Sequence, residues 1–252
     1  MNSFRRTVST TYHKFFGSHH RQIATNQSKS AKEYGDAWTD PRIPEKQWEI
    51  VQGQLLNLSE NKLTPEFAVF LETVDFGIKM RPTSTRTLLE IGCSSGYYGQ
   101  VLNSRHSDIE YTGVDFSEEF IKFGKGKFPT LKLQIGDTTN LQFENLSFGI
   151  VVSASVLLHV FEWRQGVVES ARVANDLLIL HRMPVSKDKT VLFTKNAYGV
   201  KMIEWTFNEN ELITEVISQG FRLINSSPVY PGQEITSDSS LPIQFTYLFE
   251  RV

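Results

Sequence analysis

Cysteine is all but missing from these 252 residues: Cys93 stands alone, so no intramolecular disulfide can form and no paired-thiolate metal site exists. That usage fits a reducing, cytoplasmic setting. An excess of either charge is missing too. With 26 basic against 28 acidic side chains the formal net charge is -2, and the counterion-driven attraction behind most nucleic-acid binding has no broad source. A nucleic-acid partner is therefore disfavoured. No apolar run nears the roughly 18 residues needed to cross a bilayer, and the first residues lack the apolar core of a secretory signal. Histidines and carboxylates do not gather at ligand spacing, which argues against a metal site.

What is present falls into three stretches. Residues 1–33 hold no acid before Glu33 and carry Arg5, Arg6, Lys14, Arg21 and Lys29 among serines and threonines, the composition of a basic flexible arm. Such composition also occurs in organelle transit peptides. Residues 34–84 show apolar side chains at helical spacing, with Trp48, Val51 and Leu55 on one stripe and Phe67, Phe70, Leu71 and Val74 on another. Two helices, forming an N-terminal arm or lid, are expected there. Residues 85–252 alternate short apolar runs with amphipathic segments, the rhythm of a doubly wound α/β sheet with helices on both faces. Strands are expected at 87–91, 109–115, 131–135, 148–154 and 177–181, and helices at 97–103, 117–123 and 163–173, with Ser117 as an N-cap. Extended or hairpin structure follows over 190–207, then a helix over 209–218 and two closing strands at 221–226 and 243–250.

The segment from Leu88 to Gly99 is the most informative, because an apolar strand runs directly into a small-residue turn, Gly92-Cys93-Ser94-Ser95-Gly96, that opens a helix. Small residues let the backbone approach a ligand, and a helix start offers unpaired N–H groups. About twenty residues on, Asp115 ends the second strand, where a carboxylate can accept both hydroxyls of a ribose. A second acid, Asp137, follows the third strand. All three lie at carboxyl ends of successive strands, where open α/β sheets bind ligands.

These motifs, Glu90-Ile91-Gly92-Cys93-Ser94-Ser95-Gly96, Val114-Asp115-Phe116-Ser117, Gly136-Asp137 and Phe148-Gly149-Ile150-Val151-Val152, resemble in order those of class I S-adenosylmethionine-dependent methyltransferases. The resemblance implies a Rossmann-like sheet of seven strands, the last antiparallel, and S-adenosylmethionine as cofactor. It implies that Glu90 with Gly92, Ser94 and Gly96 of the turn holds the methionine end, Asp115 the ribose diol, Phe116 an adenine face, and Asp137 with the Thr138 backbone the adenine edge. Ser155, after the fourth strand, joins this set. Ser94 stands where a second glycine is usual, and Gly149 where an acid usually begins the fourth strand. The later His181-Arg182-Met183-Pro184-Val185, Phe193-Thr194-Lys195 and Phe207-Asn208-Glu209 are similar to methyltransferases associated with bacterial surface-polysaccharide and small-molecule biosynthesis. That points to a small-molecule acceptor, a hydroxyl on a sugar, lipid-linked or secondary-metabolite intermediate.

Methyl transfer from a sulfonium requires alignment and exclusion of water, and a base only when the acceptor is a poor nucleophile such as a hydroxyl. His159 and His181, after the fourth and fifth strands, are the two candidate bases. Arg182 suits an anionic substrate group, or equally a surface salt bridge. Tyr34, Trp38 and Trp48 suit a lid, or equally the packing of the arm. Two other classes stay open: a non-catalytic methyltransferase-like binding domain, and a nicotinamide-dependent oxidoreductase. The second is opposed by the lack of G-x-G-x-x-G spacing and of any Tyr-x-x-x-Lys pair.

Overall fold

In a computed structural model, residues 21–22, 34, 36–60, 62–81, 86–235 and 242–252 are described. Short, apolar runs between Thr87 and Arg251 fold into a central sheet. Its strands are β2 (Thr87–Ile91), β3 (Glu110–Asp115), β4 (Lys132–Ile135), β5 (Phe148–Ala154), β6 (Ala174–Ser186), β9 (Phe221–Pro228) and β10 (Ile243–Arg251). They lie in the order β4-β3-β2-β5-β6-β10-β9, parallel from β4 to β6, with β10 antiparallel to both its neighbours. This is the doubly wound sheet with an antiparallel last strand expected from the sequence.

Period-two alternation along each strand sends side chains to two separate cores. Leu89, Val151, Leu178 and Leu180 pack on one face with Trp163, Val167, Leu212 and Val216 from helices α5 (Trp163–Val173) and α6 (Glu209–Ile217). Leu88, Ile150, Val152, Leu177 and Ile179 pack on the other with Phe67, Phe70, Leu71 and Val74 of α2 (Pro65–Met80), and with Tyr98 and Val101 of α3 (Tyr97–Asn103). The second apolar stripe of the N-terminal region thus becomes a face of the core. The first, on α1 (Ile43–Ser59), buries Val51 and sets Trp48 edge-on to Phe123 and Phe128 around α4 (Glu118–Lys127).

Two expectations need correcting. Ser117 occupies the N-cap position of α4, but its hydroxyl is buried and makes no cap bond; its N–H instead donates to Asp115 at 2.9 Å. The fifth strand does not stop at His181 but continues to Ser186. The reason is long-range pairing, since β10 supplies partners for Met183, Pro184 and Val185. The other edge of β6 loses β5 after His181 and is taken up at Val185 and Ser186 by β8 (Val200–Asn208). β8 forms a hairpin with β7 (Val191–Ala197) through Tyr198 and Gly199, both at positive φ as a two-residue type I′ turn requires. The hairpin therefore stands beyond the carboxyl end of β5, over the ligand edge of the sheet. Of the expected basic arm only β1 (Arg21–Gln22) is described, paired antiparallel with β7; the rest lies outside the described residues. Among the described residues no helix is long and apolar enough to cross a membrane.

Candidate active site

The turn after β2 is built on positive φ angles, +68° at Gly92, +47° at Ser94 and +81° at Gly96. Gly92 is required doubly, because a Cβ there would sit 2.2 Å from Cγ2 of Val156. Ser94 accepts the left-handed backbone that glycine would take more easily, and its N–H donates to Oδ2 of Asp115 at 2.8 Å. The turn and the end of β3 are tied together by this bond. Asp115 thus receives one N–H on each oxygen, from Ser94 and Ser117, and burial still pushes its carboxyl up to about 6. Glu90 accepts the Tyr111 hydroxyl at 2.5 Å, and burial together with the Asp115 charge pushes it up to about 8 against that bond.

One pocket runs from this turn to the hairpin, enclosing about 1180 Å³ of atom-free space with its open mouth included. Glu90, Gly92, Ser94, Asp115, Phe116, Asp137, Thr138 and Ser155 all line it, so the structure brings together eight of the nine residues expected to bind a cofactor. Gly96 does not line it; it stands behind the turn, against Leu133. Asp137 uses Oδ1 to accept both the N–H and the hydroxyl of Thr139, each at 2.8 Å. Strain concentrates here. Among the described residues five non-glycines have positive φ, and four of them, Ser94, Ser155, Arg182 and Tyr198, line this pocket.

The far wall carries the two histidine candidates apart. His159 lines the pocket, with Nδ1 2.7 Å from the carbonyl of Ile203 and its ring 4.8 Å from that of Trp38. A carbonyl only accepts, so Nδ1 bears the proton and Nε2 keeps its lone pair. Burial, helped by the nearby Lys195 charge, pushes this imidazole down to about 3 and keeps it neutral. His181 is different. It is fully buried, does not line the pocket, and has both nitrogens engaged, with the Tyr98 hydroxyl at 3.0 Å and the Thr246 hydroxyl at 2.8 Å. As a base it has no free nitrogen, and its place is that of a core histidine.

Several pocket residues carried no role in the sequence reading: Gln47, Tyr97, Lys195 and Tyr198. Lys195 pairs in the interior with Glu204 across the hairpin, while burial and Arg182 push its ammonium down to about 7. Arg182 faces the pocket and not the outer surface. Of the three aromatics weighed as a lid, Trp38 alone lines the pocket, while Trp48 packs on α4 and Tyr34 meets Lys201. Among the described residues the indole N–H of Trp38 and Oε1 of Gln47 are buried without a hydrogen-bond partner, a donor and an acceptor on two residues that line the pocket. Among the described residues no group of histidine, cysteine and carboxylates could hold a metal.

Residues 89–176 match the family model described as a methyltransferase domain. No curated protein matches the chain. Among solved structures, the chain is similar to the Burkholderia thailandensis 1,6-didemethyltoxoflavin-N1-methyltransferase, which holds 1,6-didemethyltoxoflavin and S-adenosylhomocysteine. The TM-score is 0.60 at 11% identity, over 92% of this chain and 95% of that one. A S-adenosylmethionine-dependent methyltransferase from Clostridium acetobutylicum aligns with a TM-score of 0.58 at 10% identity, over 81% of this chain and 98% of that one. The CcbJ methyltransferase of Streptomyces caelestis aligns at 0.55 and 13% identity, over 75% of this chain and 90% of that one.

Proposed function

From a chain that carries a methyltransferase domain over residues 89–176, on the fold of S-adenosylmethionine-dependent methyltransferases, we infer transfer of a methyl group to a hydroxyl of a small-molecule acceptor. The observation that carries the reading is the single pocket that joins the Glu90–Asp115 edge to His159 under the β7–β8 hairpin. A roofed pocket of this size suits a nucleoside and a compact acceptor better than a polymer lying across an open face. One of the similar structures, a likeness at the level of fold alone, holds the small molecule 1,6-didemethyltoxoflavin.

The residues fit S-adenosylmethionine. Asp115 has lone pairs left on both oxygens for a ribose diol, Glu90 lies ready for an ammonium, and the Gly92–Ser94 backbone permits close approach. Phe116 is exposed and lines the pocket, available for an adenine face, and Asp137, Thr138 and Ser155 line the same pocket, with Asp137 and the Thr138 backbone suited to the adenine edge. The unpartnered Trp38 N–H and Gln47 Oε1 are waiting groups of the kind a ligand satisfies. When bound, the cofactor supplies a methyl group on a sulfonium, an activated leaving group. His159 then accepts a hydrogen bond from the acceptor hydroxyl at Nε2 and takes its proton as the oxygen becomes a nucleophile. Trp38 and the hairpin exclude water from the aligned pair.

Calorimetric titration with S-adenosylmethionine, S-adenosylhomocysteine and NADH, on wild type and Asp115→Ala, tests this. Binding of both S-adenosyl compounds but not NADH, weakened tenfold or more in the variant by loss of charge-assisted hydrogen bonds, is expected. Binding of NADH alone, or unchanged affinity in the variant, would overturn the cofactor assignment.

A further inference from the structure

Among the described residues, Arg182 is the cation of this pocket that has no counterion in contact. Among the described residues, no carboxylate oxygen lies within 4.0 Å of its guanidinium, whereas Lys195, the other cation on the wall, is paired with Glu204. Its one hydrogen bond to an amide is a long one, Nε to Oε1 of Gln244 at 3.5 Å. Around it stand Tyr97, Tyr98 and Tyr230, and Glu66 acts on it from beyond contact distance while accepting the Tyr230 hydroxyl at 2.6 Å. Its backbone is held at φ +59°, an arrangement that costs a non-glycine residue about 1 kcal/mol or more. The neighbouring Ser155, at φ +57°, secures it: Ser155 N–H donates to the His181 carbonyl at 2.9 Å, and its hydroxyl to the Arg182 carbonyl at 3.5 Å. A strained, interior guanidinium aimed into a ligand pocket is a built anion site.

We propose that the acceptor carries an anionic group, a carboxylate or phosphate, and that this group docks on Arg182 to set the acceptor hydroxyl against His159. The proposal rests on the methyltransferase reading. Arg182 begins the run of β6 that outlasts β5, and β5 separates β6 from β2 and the turn that follows it. Its charge acts on both His159 and Lys195, which places it toward the hairpin end of the pocket, away from Asp115 and Asp137. A planar guanidinium also matches either anion with two parallel N–H donors.

The test uses Arg182→Asn, since asparagine tolerates the left-handed backbone, and Arg182→Lys, which keeps the charge but not the fork. The probes are inorganic phosphate and acetate, titrated at constant ionic strength against chloride, with thermal stability and calorimetry as readouts. S-adenosylhomocysteine and 5′-methylthioadenosine, which lacks the amino-acid end, are titrated in parallel. Wild type should bind phosphate or acetate above the chloride control, Arg182→Lys more weakly, and Arg182→Asn about tenfold more weakly or not at all. S-adenosylhomocysteine affinity should shift less than about threefold in either variant, since Arg182 is placed off the cofactor. Absence of anion binding in wild type, or its survival in Arg182→Asn, would overturn the proposal. So would a tenfold loss of S-adenosylhomocysteine affinity in Arg182→Asn with 5′-methylthioadenosine unaffected, because Arg182 would then hold the cofactor's own carboxylate. Failure of wild type to bind S-adenosylhomocysteine sinks the methyltransferase reading instead, and anion binding still decides whether Arg182 is a site.

Discussion

Binding of S-adenosylhomocysteine should release a proton, and Glu90→Gln should abolish that release. Burial, with the Asp115 charge beside it, holds the Glu90 carboxyl at about 8 in spite of the Tyr111 hydrogen bond. At pH 7 such a group is about nine-tenths protonated, and ionising it costs about 1.4 kcal/mol. An ammonium placed next to it favours the carboxylate, so binding at pH 7 expels close to one proton and affinity rises about tenfold per pH unit until it levels off above pH 8. Asp115, held at about 6, adds its own slope at lower pH, and the two carboxyls titrate as a coupled pair. The informative window is therefore about pH 6.5 to 7.5. Calorimetry in two buffers of different ionisation enthalpy reads the proton count from the difference in heat. Equal heats, with affinity flat across the window, would refute the reasoning, since a carboxyl already ionised has no proton to give.

The same residue makes a stability prediction. Its folded value of about 8 lies above the ordinary 4.5, so the folded chain holds the extra proton between those limits and loses stability as pH rises through them. Glu90→Gln should therefore raise the melting temperature of the ligand-free protein by several degrees at pH 8.5 relative to wild type, and change it little at pH 5, within about 1 °C; an equal effect at both pH values would count against a buried charge. Gly92→Ala should destabilise by about 2–4 kcal/mol from overpacking plus a left-handed backbone, measured by urea unfolding, and Val156→Ala should restore part of it. No recovery in the double variant would mean the clash with Val156 is not the cause. His159→Gln should lower kcat by about 10²-fold or more with cofactor affinity unchanged, and a wild-type kcat would remove His159 as the base. Trp38→Phe keeps the ring contacts but loses the N–H, and should weaken ligand binding about fivefold with no change in unfolding midpoint; equal affinity would leave the indole N–H without a ligand role.

The candidate cofactor edge, as a set of residues that meet in one pocket, was legible in the sequence because its determinants are local. Glu90, the glycine turn, Asp115 and Asp137 each sit at the end of a strand that its own apolar run delimits, and β2 and β5 begin and end where those runs do. The other half of the pocket is assembled by pairings that periodicity does not record. β6 outlasts its apolar run only because β10, some sixty residues later, and β8 supply partners at Val185 and Ser186. That extension carries Arg182 into the pocket, and the hairpin carries Lys195 and Tyr198 across the top. The His181-Arg182 and Phe193-Thr194-Lys195 motifs were visible, but nothing local says that they meet. Nor does spacing distinguish His159 from His181; only the positions of Tyr98 and Thr246 do.

The electrostatics of that far wall give the anion proposal a catalytic consequence. His159 sits at about 3 because burial disfavours the imidazolium, with Lys195 and then Arg182 adding to the effect. A base so weak orients a hydroxyl but does little to remove its proton. An anion on Arg182 offsets that residue's share of the positive potential at His159, the smallest of these effects, so the imidazole becomes somewhat more basic only while an acceptor of the right charge is seated. Acceptor charge would then govern turnover as well as affinity. A neutral analogue carrying the same hydroxyl should therefore lose kcat as well as raise KM, and adding phosphate should restore part of the lost kcat in wild type and none in Arg182→Asn. Loss confined to KM would reduce Arg182 to a binding residue and separate the anion site from the base.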